Sequence, residues 1–98
     1  GKSRLFRNNV GAYQDKEGNW VRYGLGGKGA SDLIGWKQIA ITPEDVGRTI
    51  AQFLAVEVKQ TGKKLTKDQQ QFGNMVSSAG GIFGVAHSPE EAEQIIGC

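Results

Sequence analysis

The chain has 98 residues, of which 38% are hydrophobic and 22% are charged, and its net charge is +2. This length is typical of one domain with a modest core, and the composition excludes a disordered chain. The single cysteine, Cys98, excludes an internal disulfide framework and favours a reducing compartment. No apolar run is long enough to cross a bilayer, so we expect no membrane partner.

The first half of the chain predicts two strands separated by a glycine-rich loop. Residues 1–11 read as a basic, polar lead-in. A turn at 15–19 precedes a short strand at 20–23, and the glycine-rich loop at 24–29 follows it. Residues 32–41 then predict a second strand with a bend at Gly35.

The second half predicts two strands and two helices. Thr42 and Pro43 mark a short helical turn, and residues 49–59 form an apolar third strand. A helix with one apolar stripe begins at Thr66 and ends at Gly80-Gly81, followed by a fourth strand at 82–87 and a second helix capped by Ser88. The order β-β-β-α-β-α predicts an α/β fold in which helices pack on a mixed sheet.

The third strand places charged side chains in an apolar run. Glu57 and Lys59 are two residues apart, so they point to the same face of a strand, and Asp32 begins the strand before it. Two carboxylates and the backbone carbonyl of Val58 suffice to hold Mg²⁺, and the lysine would stabilise charge on an attacked phosphate. This set indicates phosphodiester hydrolysis. The alternative is a Glu–Lys pair on a solvent-facing strand.

Gln69 has two candidate roles that compete for one side chain. It lies on the apolar stripe near the helix start, where it could reach a metal-bound water or a DNA phosphate. Thr66 and Gln69 also have the spacing of a capping box, and spacing alone favours that role.

Other signals are less specific. Gly24-x-Gly26-x-x-Gly29 matches the dinucleotide-binding string but leads into a predicted strand, so we interpret it as chance or as a loop that allows close backbone approach. His87, directly before a helix cap, is more typical of a structural residue. Basic residues flank the candidate site and predict phosphate contacts, with an ordinary solvated surface as the alternative: Arg4, Arg7, Arg22, Lys28, Lys59, Lys63, Lys64 and Lys67.

Six short motifs occur in a specific order along nearly the whole chain: Arg7-Asn8-Asn9-Val10-Gly11, Tyr23-Gly24, Gly29-x-Ser31-Asp32-Leu33, Val56-Glu57-Val58-Lys59, Leu65-Thr66-x-x-Gln69-x-x-Phe72 and Gly80-Gly81. This order resembles the VRR-NUC domain, the virus-type replication–repair nuclease branch of the PD-(D/E)xK superfamily. The resemblance implies one nuclease domain over residues 1–98 with a PD-(D/E)xK core.

The resemblance also implies an activity and a set of site residues. The activity is that of a DNA endonuclease that depends on Mg²⁺ or Mn²⁺. The metal-binding acids would be Asp32 and Glu57, the catalytic lysine would be Lys59, and the motif glutamine would be Gln69. The Val58 carbonyl, inferred above from its place between Glu57 and Lys59, completes the expected metal ligands.

Similar stand-alone members act as homodimers on branched DNA such as four-way junctions, in replication, repair or recombination. We therefore expect a homodimer that prefers junction DNA, in the cytoplasm of a bacterial or phage-infected cell. The predicted DNA contacts are Arg7, Asn8, Lys28, Lys63, Lys64 and Lys67.

The sequence departs from the family pattern at two places. Ser31 stands where members usually carry proline before the first aspartate, at a position that shapes a turn. Members also usually carry a helix with a glutamate before the Arg-Asn-Asn segment, and this sequence begins almost at that segment, so we expect that helix to be missing or very short. The competing functions are a non-catalytic nucleic-acid-binding module that retains the fold, and a phage structural protein without metal affinity.

Overall fold

The computed structural model describes residues 2–97, which divide into two compact units, one ending at Lys37 and the other beginning at Gln38. The first unit contains four strands: β1 (Ser3–Arg7), β2 (Gly11–Gln14), β3 (Trp20–Tyr23) and β4 (Leu33–Lys37). The second unit contains β5 (Leu54–Val58), α1 (Lys67–Ser78), β6 (Ile82–Ala86), α2 (Pro89–Ile96) and a 3₁₀ turn at Pro43–Asp45.

Two antiparallel pairs make up the first unit. β1 pairs with β4, from Ser3 opposite Lys37 to Arg7 opposite Leu33. β2 and β3 form a hairpin around the turn predicted from the sequence, in which the Asp15 carboxylate accepts hydrogen bonds from the backbone N–H groups of Glu17 and Asn19. The hairpin turn is therefore held by its own aspartate, as is common where asparagine and aspartate initiate turns.

The prediction of a polar lead-in over residues 1–11 is wrong, because this segment supplies β1 and the first residue of β2. The partner of β1 lies about 30 residues away in sequence. The pairing therefore cannot be predicted from a local sequence pattern. Phe6 and Trp36 pack on one face of this pair, with their ring centroids 5.5 Å apart. That aromatic contact stabilises a strand whose sequence is otherwise mostly polar.

Gly35 lies inside β4 opposite Leu5, and the ladder continues through it, so the bend stays a prediction. A Cβ at this position would overlap the backbone carbonyl of Arg4 on β1. The residue is therefore glycine because two backbones approach closely, which is the other common reason for glycine within a strand.

In the second unit, the parallel pair β5 and β6 lies between two helices. The register runs from Leu54 opposite Ile82 to Val58 opposite Ala86. A Cβ on Gly73 of α1 would meet the Phe83 ring, and a Cβ on Gly84 would meet Ile95 of α2. Neighbouring residues of a strand face opposite sides, so α1 covers one face of this pair and α2 covers the other.

The core of the second unit is small. Val76 of α1 and Ala86 of β6 are its buried hydrophobic residues within the described chain, at 0% and 1% exposure. Both helices begin as predicted, at caps formed by Thr66 and Ser88, whose side chains accept hydrogen bonds from backbone N–H groups of the first turn. α2 ends at Gly97, which has a φ of +82° and so a left-handed conformation.

The mixed α/β character of the fold is confirmed, but the predicted order β-β-β-α-β-α omitted β1 and β2. The single mixed sheet is also not what the described residues show, since they form three separate two-stranded ladders. The strands predicted at 32–41 and 49–59 are shorter, at Leu33–Lys37 and Leu54–Val58, because the ladder stops where the partner strand stops. Within residues 2–97, no helix combines the length and apolarity needed to span a membrane.

Candidate active site

Glu57 lies on β5 and is half-buried, on the face that α1 covers. Lys59 follows the strand directly and is also half-buried, and its backbone N–H donates to the Ala86 carbonyl at 3.0 Å. Strand alternation places both side chains on the same face, as the sequence predicts. They do not form a salt bridge, because the ion pairs within residues 2–97 are Arg48–Asp45 and His87–Glu91. The interpretation of these two residues as a simple Glu–Lys pair is therefore not supported.

Gln69 connects the first turn of α1 to Glu57. Its Nε2 donates to Glu57 Oε1 at 2.7 Å, while its Oε1 accepts from the Thr66 N–H at 2.9 Å. The Gln69 backbone N–H completes the capping box by donating to Thr66 Oγ1 at 3.1 Å. The capping role that the spacing favoured is confirmed by these bonds. The other end of the amide contacts Glu57, while contact of Gln69 with a metal-bound water or a DNA phosphate stays a prediction.

The bond from Gln69 fixes one oxygen of the Glu57 carboxylate. A half-buried carboxylate with one oxygen held by a neighbouring amide fits the oxygen-ligand chemistry of a hard divalent cation such as Mg²⁺. Residues 2–97 contain no group of three or more His, Cys, Asp or Glu side chains arranged for a metal. The candidate donor set is smaller and consists of carboxylate and carbonyl oxygens.

Three of the predicted DNA-contacting lysines lie two to six residues before this glutamine in the chain. Lys63 and Lys64 lie in an exposed turn held by the Lys63 N–H donating to the Gln60 carbonyl at 3.0 Å. Lys67 is the first residue of α1 and is also exposed. Cations around a helix start, where backbone N–H groups carry partial positive charge, form a suitable surface for phosphate.

In the first unit, Asn8 holds the loop that leads to Asp32. Its Nδ2 donates to the carbonyls of Leu25 at 2.9 Å and Ser31 at 3.1 Å, and its Oδ1 accepts from the Leu25 N–H at 2.9 Å. Its backbone N–H donates to the Asp32 carbonyl at 2.8 Å. The Asn8 amide is thus fully engaged within the chain, and Asp32 is exposed immediately before β4. Arg7, at the end of β1, is also exposed.

The glycine string at 24–29 opens no helix, so the dinucleotide-binding interpretation is excluded by its own structural requirement. Gly24 has a φ of +93°, and a Cβ there would lie 2.5 Å from the Asn9 carbonyl oxygen. The loop therefore allows two backbone segments to approach closely. This was one of the two interpretations drawn from the sequence, the other being a chance match.

The family model for the VRR-NUC domain matches residues 9–90 of the 98-residue chain. The chain belongs to the VRR-NUC family. Neither the curated proteins nor the solved structures contain a match to it. Membership in this family implies a nuclease-type function, DNA as the substrate class and divalent metal as the usual cofactor class.

The span that matches the VRR-NUC domain contains Asp32, Glu57, Lys59 and Gln69, while Arg7 and Asn8 lie just before it. The structure brings Glu57 and Gln69 into direct contact, and Lys59 directly follows the strand that carries Glu57. Asp32 belongs to the other unit.

His87 of this VRR-NUC chain is tied to the start of α2 instead of to a candidate metal ligand. Its Nδ1 and its backbone N–H lie 2.9 Å and 2.8 Å from the same Glu91 oxygen. Two hydrogen bonds from His87 hold the pKa of Glu91 below its ordinary value. The bond from the backbone N–H has the larger effect, and the bond from the ring has the smaller one. This arrangement agrees with the structural role expected of His87 from the sequence.

Proposed function

We propose that this VRR-NUC chain is a metal-dependent DNA endonuclease that hydrolyses phosphodiester bonds. The observation that carries the proposal is the 2.7 Å hydrogen bond from Gln69 to Glu57, two residues before Lys59 in the chain. A structural capping glutamine needs only the Thr66 backbone, whereas this one also orients a half-buried carboxylate. Orientation of a metal-binding carboxylate by a hydrogen-bond donor is the usual arrangement around protein metal ions.

The proposed ligands of Mg²⁺ or Mn²⁺ are Glu57, the Val58 carbonyl and Asp32. Support for Asp32 comes from the family pattern, and support for Glu57 comes from the family pattern and its contact with Gln69. When bound, the cation supplies a nucleophilic water at neutral pH and neutralises charge on the phosphate.

The protein residues have distinct proposed roles around the scissile phosphate. Gln69 keeps the Glu57 carboxylate in one orientation. The Lys59 ammonium donates to the attacking water or to a phosphate oxygen, and so stabilises the charge that develops in the transition state. Lys63, Lys64 and Lys67 bind neighbouring phosphates of the same strand. Arg7 and Lys28 are proposed as phosphate contacts of the first unit, where Asn8 acts by holding the loop.

We further propose a PD-(D/E)xK core within one nuclease domain over residues 1–98, acting as a homodimer on branched DNA in a bacterial or phage-infected cell. Two exposed leucines on the β1–β4 pair support the homodimer. Leu5 and Leu33 lie on the face that also carries Arg7, because Leu33 is opposite Arg7, and they are 67% and 57% exposed. Exposed large apolar side chains are available for association with a second copy, with Arg7 at the edge of that contact. A two-fold dimer would present two equivalent sites to the symmetric strands of a four-way junction.

The test is cleavage of labelled four-way junction, flap and linear duplex DNA by the full chain with Mn²⁺, Mg²⁺ or chelator. We expect metal-dependent cutting that is strongest on the junction, and its loss in Asp32→Asn and Glu57→Gln. The matched control is Asp68→Asn, which removes an exposed carboxylate from the first turn of α1. Wild-type rates in either site variant would remove that residue from the site, and cutting in chelator would overturn metal dependence. Sedimentation at micromolar concentration tests the dimer, and a monomer would overturn it.

A further inference from the structure

The first unit contains a cleft that no part of the proposed metal chemistry uses. Its volume is about 470 Å³, and the residues that matter for its chemistry are Val10, Ala12, Arg22, Tyr23, Gly27 and Lys28. It lies where the β2–β3 hairpin meets the glycine-rich loop. This volume falls within the range of pockets that hold small organic molecules.

Two glycines give the cleft its shape. Gly11 is opposite Tyr23 in the hairpin, and a Cβ on Gly11 would overlap the Tyr23 phenol. The Tyr23 ring therefore lies across a position that any other residue would fill. Gly24 lies close to the backbone of Asn9 and Val10 and has a positive φ. This conformation allows the loop that carries Gly27 and Lys28 to turn beside the hairpin.

The lining combines apolar surface, one aromatic side chain and two cations, and it includes no carboxylate. Arg22, Tyr23 and Lys28 are all exposed, and within residues 2–97 neither cation forms a salt bridge. Uncompensated positive charge beside an apolar, aromatic wall matches a ligand with a flat apolar part and an attached anion. A nucleotide has this chemistry, because every base has a stacking face and carries a phosphate.

We propose that this cleft binds one unpaired nucleotide of a DNA strand, with the base against Tyr23 and its phosphate at Arg22 and Lys28. The inference rests on the proposed nuclease function, since that function makes DNA the ligand that the protein meets. A base paired within a duplex is not free to enter a cleft of this kind. The cleft therefore distinguishes unpaired from paired bases and does not distinguish one base sequence from another. It supplies a means by which branched or flapped DNA is preferred over linear duplex.

The test uses the full chain in chelator, so that binding is measured without cleavage. The probe is an oligonucleotide duplex with a single unpaired 2-aminopurine, whose fluorescence falls when it stacks on an aromatic ring. We expect wild-type protein to quench this fluorescence, Tyr23→Phe to retain the quenching and Tyr23→Ala to lose it. Removal of a stacking partner weakens binding by about tenfold or more. Arg22→Gln and Lys28→Gln should weaken binding without removing the quenching at saturation.

Lys16→Gln is the matched control, because it removes one exposed cation from the turn of the same hairpin outside the cleft. It should bind and quench as wild type. Thermal unfolding confirms that each variant folds, and Tyr23→Leu, which keeps apolar bulk, replaces Tyr23→Ala if the latter does not.

The outcomes separate this inference from the proposed nuclease. If wild type cuts DNA with metal but Tyr23→Ala and Arg22→Gln bind the probe unchanged, the cleft inference is overturned and the nuclease stands. If the probe is quenched through Tyr23 but no metal supports cleavage, the cleft stands and the nuclease is overturned. Equal affinity for free deoxyadenosine monophosphate would identify a mononucleotide site and overturn the assignment to a DNA strand.

Discussion

The Gln69 side chain joins the capped start of α1 to the Glu57 carboxylate on β5, with Nε2 2.7 Å from Glu57 Oε1 and Oε1 2.9 Å from the Thr66 nitrogen. Both bonds depend on which end of the amide faces which partner. A glutamine in this orientation is therefore fixed by two elements, and the carboxylate is fixed with it. The position of the helix start and the geometry of the candidate site are set by the same side chain.

Replacement of Gln69 by glutamate separates these two roles. The variant Gln69→Glu can still accept from the Thr66 N–H, but it loses the donor to Glu57 and places two carboxylates within hydrogen-bond distance. We expect the α1 cap to survive while repulsion between the two carboxylates moves Glu57 out of its orientation, so that cleavage falls by about tenfold or more. Thermal unfolding and cleavage rates measure the two effects.

The adjacent Gln70 provides the control for this variant. Gln70 is exposed, and its Nε2 donates to Asn74 Oδ1 at 3.0 Å. Gln70→Glu makes the same charge change one residue away, so it should leave cleavage near the wild-type rate. Equal activity of Gln69→Glu and wild type would reduce Gln69 to a capping residue.

Removal of the Lys59 ammonium should affect rate more than metal affinity. We expect Lys59→Ala to lower the rate constant for cleavage by about a hundredfold or more, the cost of removing one transition-state donor. Manganese binding, followed by titration calorimetry, should stay close to wild type. Lys37→Ala is the charge-matched control at the exposed end of β4. A loss of metal affinity as large as that of Glu57→Gln would show instead that Lys59 acts on the metal site.

The Asn8 amide should be needed for the loop that precedes Asp32. Asn8→Asp removes both donors to the Leu25 and Ser31 carbonyls and sets a negative charge beside them. We expect the free energy of unfolding to fall by about 1–3 kcal/mol, the net contribution of two hydrogen bonds at about 0.5–1.5 kcal/mol each. Asn9→Asp, an exposed neighbour with the same change, should be close to neutral in urea unfolding. Equal stability of the two variants would contradict the role given to Asn8.

Acid should remove the contribution of Glu91 to stability. Hydrogen bonds from the His87 backbone and ring lower the pKa of Glu91 from an ordinary value of 4.5. A lowered folded-state pKa stabilises the protein above the unfolded-state value, and that stabilisation disappears as pH falls through the folded-state value. In urea unfolding, Glu91→Gln should therefore lower the free energy of unfolding most at neutral pH. This difference from wild type should shrink as the pH falls below 4.5. Glu90→Gln, in the same helix turn, is the control, and a deficit of Glu91→Gln that does not change with pH would contradict this linkage.

Gly73 should resist a substitution that normally stabilises helices. Glycine to alanine in an exposed helix gains about 0.5–1 kcal/mol. At Gly73, however, the new Cβ would overlap the Phe83 ring. We expect Gly73→Ala to lower the free energy of unfolding by about 1–3 kcal/mol through overpacking, while Ser77→Ala on the exposed side of α1 should not. Phe83→Leu should recover part of the loss in a double variant, and additive effects of the two changes would argue against direct contact.

Local signals in the sequence determined the helix starts, the hairpin turn, the alternation that pairs Glu57 with Lys59 on one face, and the family. These signals depend on residues two to four positions apart, such as Thr66 with Gln69, and on motif order, so a reading along the chain contains them. The tertiary structure alone decided that residues 3–7 form a strand, that Gly35 and Gly73 are sites of close approach, and that one amide serves both Thr66 and Glu57. The hydrogen bonds from Asn8 to Leu25 and Ser31 were also decided by the tertiary structure, because these partners are 17 and 23 residues away along the chain. Each of these features depends on which distant segment becomes the neighbour. Long-range pairing of this kind produces no repeating pattern in the sequence, so it cannot be predicted from residues that are close together along the chain.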